Sequence, residues 1–244
     1  FKQMQTLPTL PPHTALFLDF DGTLVALADQ PEQVVVPPQL LPLLVNLQTR
    51  LGGALALVSG RRLQDLDQFL APLQLPAAAE HGAIRRTAQG DVYSAPTPHL
   101  AAIEMAMHSL VSRHPGLRLE PKQTSLALHY RHAPALATLC HDTLVAALHG
   151  RPDLTLLHGK CVLEVKPAHI GKGQAIAAFM QEPPFTGRVP VFAGDDVTDE
   201  AGFVAVHTLQ GRPIKVGAGP TCDKHRFDKP AELLDWLHTL LQQH

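Results

Sequence analysis

The sequence predicts an α/β protein built on a doubly wound parallel sheet, with a separate α+β domain inserted into it. Two observations carry this. Short apolar runs alternate with longer helical patterns at both ends of the chain, and the middle abandons that alternation for helices and paired strands. Alternating strands and helices close into a parallel sheet through right-handed crossovers. Helices combined with paired strands point to a mostly antiparallel sheet of their own.

In chain order, Ala15–Asp19 opens the sheet as a buried strand, a short apolar run bounded by turn residues. Pro38–Arg50 sets Leu40, Leu41, Leu43, Leu44 and Leu47 at helical spacing, and Ala54–Val58 is the second strand. Arg62–Leu70 is a helix and Ala77–Glu80 the third strand. In the middle come a helix (Leu100–Arg113), two strands (Leu117–Glu120 and Ser125–Arg131), a helix (Ala135–Leu148) and two more strands (Leu154–His158 and Val162–Lys166). Pro96, Pro98 and Pro167 punctuate the borders. The alternation then resumes with helices over Gly171–Met180, Thr198–Val206 and Ala231–Leu241 and strands over Val189–Ala193 and Pro213–Val216. The expected division is 1–95 and 168–244 as two parts of one core, with 96–167 as the insert.

Composition excludes several classes. With 45% hydrophobic and 17% charged residues among 244, the chain is globular, not disordered. Lys+Arg 20 against Asp+Glu 22 leaves no strong basic excess, which argues against nucleic acid as a partner. No stretch approaches the ~20 apolar residues of a membrane span, and the Pro-rich segment Phe1–His13 does not read as a signal peptide. Cys140, Cys161 and Cys222 are odd in number and form no CxxC, as suits a reducing compartment, so the expected location is cytoplasmic. Cys161 is read as a packing residue, and His108, His114 and His141 as surface helix residues. A monomer or weak dimer is expected.

The strongest chemical signal is Asp19-Phe20-Asp21-Gly22-Thr23 directly after the first strand. In an open parallel sheet, ligands bind beyond the carboxyl ends of the strands, where Asp19 and Asp21 fall. Residues two apart on an extended chain face one side, so both carboxylates can address one pocket. Gly22 permits a turn that brings backbone N–H groups near an anion. A bare pair of acids is more often a solvated loop. Three further motifs each follow a strand or open a helix: Ser59-Gly60-Arg61, Gly171-Lys172-Gly173, and Gly194-Asp195-Asp196-Val197-Thr198-Asp199-Glu200. Singly, each has a plain reading, as a helix cap, an exposed lysine or an acidic helix N-terminus. Gly171-Lys172-Gly173 is not a phosphate-binding P-loop, because Lys166 and Gly173 stand where that motif needs Gly and Ser/Thr.

In this order the four motifs resemble those of the haloacid dehalogenase superfamily. The resemblance implies a Rossmann-like core with an α+β cap of the type C2 class. It also implies phosphoryl transfer through an aspartate, which splits a difficult hydrolysis into two easier steps. By that likeness Asp19 is the nucleophile, and Asp21 is the general acid and base, oriented by Thr23. Ser59 and Lys172 contact the phosphoryl group. Mg²⁺ is implied on the Asp19 carboxylate, the Asp21 carbonyl and Asp195, with Asp196 and Asp199 holding metal-bound water.

The insert and its neighbours narrow the resemblance. Glu80-His81-Gly82, Glu120-Pro121-Lys122, His129-Tyr130-Arg131 and Leu163-Glu164-Val165-Lys166-Pro167 resemble signatures of the trehalose-6-phosphate phosphatases, from about Thr14 onward. That implies hydrolysis of trehalose 6-phosphate, the last step of trehalose biosynthesis. Glu120, Lys122, Arg131 and Glu164 would hold the sugar, with Gly22, Gly60, Arg61 and His81 contributing from the core side. Charged groups suit a neutral, hydroxyl-rich disaccharide, although alternating charges on a sheet can also mark a solvent face. Lys166 is the weakest candidate and is read as a hinge residue. The alternatives are a phosphatase for another sugar phosphate, of sucrose phosphate or glycosyl phosphoglycerate type, and a non-catalytic sugar-phosphate sensor. A sensor would tolerate loss of Asp19 or Asp21, and both are present.

Overall fold

A computed structural model describes residues 8–195, 199–219 and 225–243. Among them, two sheets form. The larger has eight strands: β1 (Thr14–Leu18), β2 (Leu55–Val58), β3 (Ala77–Ala79), β4 (Ile84–Arg86), β5 (Val92–Ser94), β10 (Val189–Gly194), β11 (Arg212–Val216) and β12 (Arg226–Phe227). Their spatial order is β12-β11-β10-β1-β2-β3-β4-β5, parallel from β12 to β3, with β4 and β5 added antiparallel. The chain runs outward from β1 to one side and later returns on its other side. β1 and β10 therefore flank the point where strand order reverses, the usual ligand crevice of such sheets.

Strands β1 and β2 are buried at every position, because a parallel sheet covered on both faces needs continuous apolar runs. The covering helices are α1 (Leu40–Arg50), α2 (Leu63–Leu70), α5 (Lys172–Phe179), α6 (Glu200–Thr208) and α7 (Pro230–Gln242). Leu40, Leu43, Leu44 and Leu47 form the buried stripe of α1, the i, i+3, i+4, i+7 spacing seen in the sequence. Phe17, Phe179 and Phe185 pack together with ring centroids 5.1–5.9 Å apart.

The second sheet is antiparallel, in the order β6 (Arg118–Pro121), β7 (Leu126–His129), β9 (Val162–Pro167), β8 (Leu154–Gly159). With α3 (Ala101–Arg113) and α4 (Ala137–Ala147) it encloses a hydrophobic cluster of its own, including Met107, Leu128, Cys140, Leu144 and Val165. Each strand and helix named from the sequence is present, with ends shifted by a few residues. The β4–β5 hairpin and β12 were not foreseen. Cys161 corrects its reading as a packing residue. It is half-exposed at φ +60 in the β8–β9 turn, and the buried cysteine of this cluster is Cys140. His108 is exposed and His114 and His141 are half-exposed on or beside their helices.

Candidate active site

Asp19 directly follows β1 and its amide donates to the Ala193 carbonyl on β10 at 2.9 Å, so it stands in the crevice. The chain then turns tightly: the Gly22 N–H donates to Val25 O at 2.8 Å, and Phe20 fills the interior. Gly22 sits at φ +73, and a Cβ there would lie 1.9 Å from Asp195 Oδ2. Glycine thus serves both the turn and the approach of Asp195 from the end of β10.

Asp19 is buried, and Lys172 at the start of α5 donates to its Oδ1 at 3.0 Å and to Asp199 Oδ1 at 2.5 Å. The Asp199 Oδ2 accepts the Asp195 amide at 2.9 Å. Burial, and next the Asp199 charge, push the Asp19 carboxyl well above its ordinary range, against the pull of Lys172. Burial alone would lower the Lys172 ammonium, but Asp19 and Asp199 outweigh it and hold it raised. Ligand oxygens of Asp19, Asp195 and Asp199 lie within 4.8 Å of one another. A concentration of hard carboxylate oxygens that already perturbs one of its members fits a small divalent cation. Asp196 lies outside the described residues.

Thr23 does not contact Asp21 as expected; its hydroxyl donates to Asp19 Oδ2 at 3.2 Å. The chain reverses direction at Gly22, which returns Thr23 toward the strand end. Asp21 is held instead by Arg61, whose Nε and Nη2 donate to its two oxygens at 2.7 Å each. The same guanidinium donates to the Pro31 carbonyl at 2.8 Å and lies 4.8 Å from the Phe69 ring centroid. Arg61 lines the cleft, but its guanidinium is engaged on the core side.

Ser59 is buried beyond β2, and its hydroxyl oxygen accepts the Arg61 amide at 3.1 Å. The Ser59 and Arg61 carbonyls accept the amides of His81 and Glu80 at 2.9 Å, which ties the turns after β2 and β3 together. Glu80 and His81 have φ of +47 and +59. A non-glycine residue held there costs about 1–3 kcal/mol, and here both side chains are aimed at the insert. His81 Nε2 meets Glu164 Oε2 at 3.0 Å, and Glu80 accepts from the turn between β6 and β7.

The insert answers with a charged network. Glu164 Oε1 accepts from Lys122 Nζ at 2.9 Å and Ser125 Oγ at 2.8 Å, and Lys122 also donates to the Gly60 carbonyl at 2.9 Å. A Cβ on Gly60 would lie 2.5 Å from the His81 ring. Burial alone would raise the Glu164 carboxyl, but Lys122 and then His81 outweigh it and hold it well below its ordinary value. Burial lowers the His81 imidazole, against Glu164, and an ionised Glu164 oxygen can only accept, so Nε2 donates to it. Glu120 is paired with His129 at 2.9 Å. Lys122 and Glu164 side chains are each 7% exposed, so they are not a solvated sheet face. Lys166 donates to the carbonyls of Pro167 and Ile170, where the chain leaves the insert.

Most of the groups singled out from the sequence line one cleft, while Gly22, Thr23 and Asp199 stand behind it. Asp19, Asp21, Ser59, Gly60, Arg61, Lys172 and Asp195 line its core side, and Glu120, Lys122, Arg131 and Glu164 its insert side, with His81 between. His129, Asp65 and Lys160 line it too and were not singled out from the sequence. His129 stood inside the quoted motif His129-Tyr130-Arg131, whereas nothing local marks Asp65 or Lys160.

Comparison with known proteins follows the same outline. A family model described as trehalose-phosphatase matches residues 17–232. The trehalose-6-phosphate phosphatase of Escherichia coli (strain K12) is 43% identical over 97% of this chain and 91% of its own. A probable trehalose-phosphate phosphatase of Sinorhizobium fredii is 43% identical over 83% of this chain and 77% of its own. Among solved structures, the C-terminal domain of the trehalose-6-phosphate phosphatase of C. albicans superposes with a TM-score of 0.81 at 20% identity, covering 95% and 92% of the two chains.

Proposed function

The chain belongs to the trehalose-phosphatase family, and from that membership we propose that it hydrolyses trehalose 6-phosphate to trehalose and inorganic phosphate. The observation that carries the reading is the two-sided cleft. An acid- and lysine-bearing floor at the strand ends faces a wall of charged groups suited to sugar hydroxyls.

In the first step an Asp19 oxygen bonds to phosphorus as the bond from phosphorus to the sugar oxygen breaks, leaving an aspartyl-phosphate. Asp21 gives its proton to the departing sugar oxygen. In the second step Asp21 takes a proton from water, whose oxygen attacks phosphorus and frees phosphate and Asp19. Thr23 holds the Asp19 oxygen Oδ2, while Lys172 holds Oδ1 and places positive charge beside the phosphoryl group. Ser59 donates its hydroxyl proton to a phosphoryl oxygen. Arg61 holds both Asp21 oxygens, and this pair has to open for Asp21 to carry the proton it delivers.

Mg²⁺ would be held by the carboxylates of Asp19 and Asp195, with Asp199 behind them; the family likeness adds the Asp21 carbonyl and Asp196, and the ion would supply further positive charge against the phosphoryl oxygens. Glu120, Lys122, Arg131 and Glu164 would bind the disaccharide, with His81 at the boundary; Gly60 lines the cleft, whereas Gly22 serves the site by letting Asp195 approach and does not reach the sugar.

Phosphate release from a panel of sugar phosphates, with Mg²⁺ and with EDTA, tests the reading. Metal-dependent preference for trehalose 6-phosphate is the expected result. Metal-dependent release spread evenly over sucrose phosphate and other sugar phosphates would overturn the assignment of the insert wall. No release from any of them would overturn the reaction.

A further inference from the structure

We propose that Glu80 is a positioning residue for this reaction: it holds the β6–β7 turn against the core and so sets Lys122 at its place in the cleft. The inference rests on the proposed function. Glu80 does not line the cleft and is 2% exposed. Its Oε1 accepts the Thr124 amide and the Thr124 hydroxyl, each at 2.9 Å, and its Oε2 accepts the Gln123 amide at 3.3 Å. A single carboxylate thereby takes three donors from a turn on the other sheet, and Thr124 is fully buried at the contact. Backbone amides packed against a core carboxylate are satisfied in this arrangement and lose their partner when the insert lifts away.

The turn carries Lys122, whose amide closes it by donating to Ser125 O at 2.9 Å. Lys122 reaches both the Gly60 carbonyl beside Ser59 and the Glu164 carboxylate. Ser125, the last residue of the turn, donates to the same Glu164 oxygen. Two groups that would meet the sugar thus depend on where this turn sits, and Glu80 is the core residue that fixes it. The left-handed backbone at Glu80 follows from the same requirement, since it turns the side chain from the end of β3 toward the insert.

Glu80→Ala and Glu80→Gln separate this role from a general structural one. In Glu80→Ala, kcat/KM for trehalose 6-phosphate falls about 10- to 100-fold, the size of a misplaced binding group. Release from p-nitrophenyl phosphate, which lacks the sugar, stays within about threefold. Hydrogen exchange of the ligand-free protein shows the Gln123 and Thr124 amides losing at least about tenfold in protection. Glu80→Gln keeps an oxygen for both Thr124 bonds but sets an amide nitrogen against the Gln123 N–H, so Thr124 protection and most of kcat/KM recover while Gln123 protection does not. Equal losses on both substrates, or unchanged protection in Glu80→Ala, would overturn the proposal. If Glu80→Ala does not fold, Thr124→Val removes one bond from the far side. A smaller loss in the same direction then supports the proposal, and no change overturns it. Failure of the unaltered protein to release phosphate from trehalose 6-phosphate would defeat the functional reading alone, and the exchange comparison would still decide whether Glu80 fixes the turn.

Discussion

Asp19 is held at both oxygens, by a threonine hydroxyl on one and a lysine ammonium on the other, with two further aspartates close by. Replacing it by Asn preserves shape and removes the nucleophile. Asp19→Asn is expected to lower phosphate release by about 10³-fold or more while circular dichroism stays unchanged; substantial residual turnover would reassign the nucleophile. Glu164 has a different task. Glu164→Ala strands Lys122 and His81 in a buried site, at a cost of about 3–5 kcal/mol in stability by analogy with other broken buried pairs. It is expected to depress turnover of trehalose 6-phosphate far more than that of p-nitrophenyl phosphate; equal losses would make Glu164 structural. Asp19, Ser59 and Asp195 could be singled out in the sequence because each sits one step beyond a strand that local pattern marks, and Lys172 because it opens a helix. The partner of Thr23 could not be read, since it depends on the reversal at Gly22. The bidentate grip of Arg61 on Asp21 joins residues forty apart, and no spacing rule announces such a pair.

The apolar strands and amphipathic helices are visible in the sequence because burial on one or both faces imposes a period. The β4–β5 hairpin escapes that logic. Ile84-Arg85-Arg86 carries two arginines, one of which, Arg86, is buried only because Asp67 and the Leu75 carbonyl receive its guanidinium. Val92–Ser94 is exposed throughout, so it has no buried face to betray it. Gln89-Gly90-Asp91 was the available turn signal. The loop after β1 depends on the same kind of unseen pairing, with Asp195 lying against Gly22. Gly22→Ala is therefore expected to displace Asp195, weakening activity at low Mg²⁺ more than at high; a loss independent of metal concentration would mean that only the turn was damaged.

Two hydrophobic clusters joined through a buried charged network make stability of the whole chain respond to acid. The unfolded chain protonates His81 near its ordinary value of about 6.5, whereas burial holds the folded imidazole lower, so stability declines as pH drops below about 6.5. Glu164 acts further down: its folded carboxyl lies below the ordinary range, and the stability it contributes at neutral pH is lost as pH falls through and below about 4.3. A melting-temperature profile should show both declines, and Glu164→Gln should flatten the lower one; an unchanged profile in that variant would remove Glu164 as a source of the acid sensitivity. Metal is expected to have the opposite effect. Crowded carboxylates around Asp19 disfavour the metal-free fold, so Mg²⁺ at about 100 times its Kd should stabilise the protein by about 2.7 kcal/mol, and EDTA should reverse the rise. An equal rise in Asp19→Asn would place the ion elsewhere. The antiparallel hairpin at the margin of the large sheet has a consequence for solubility. Without residues 83–95 the sheet would end at Ala77–Ala79, laying open a fully buried apolar strand to a neighbouring molecule. With them, the outermost strand is one already exposed to solvent, and it runs into Pro96 and Pro98, which cannot donate to a further ladder. The hairpin thus works as a guard against edge-to-edge polymerisation, remote from the chemistry and independent of it.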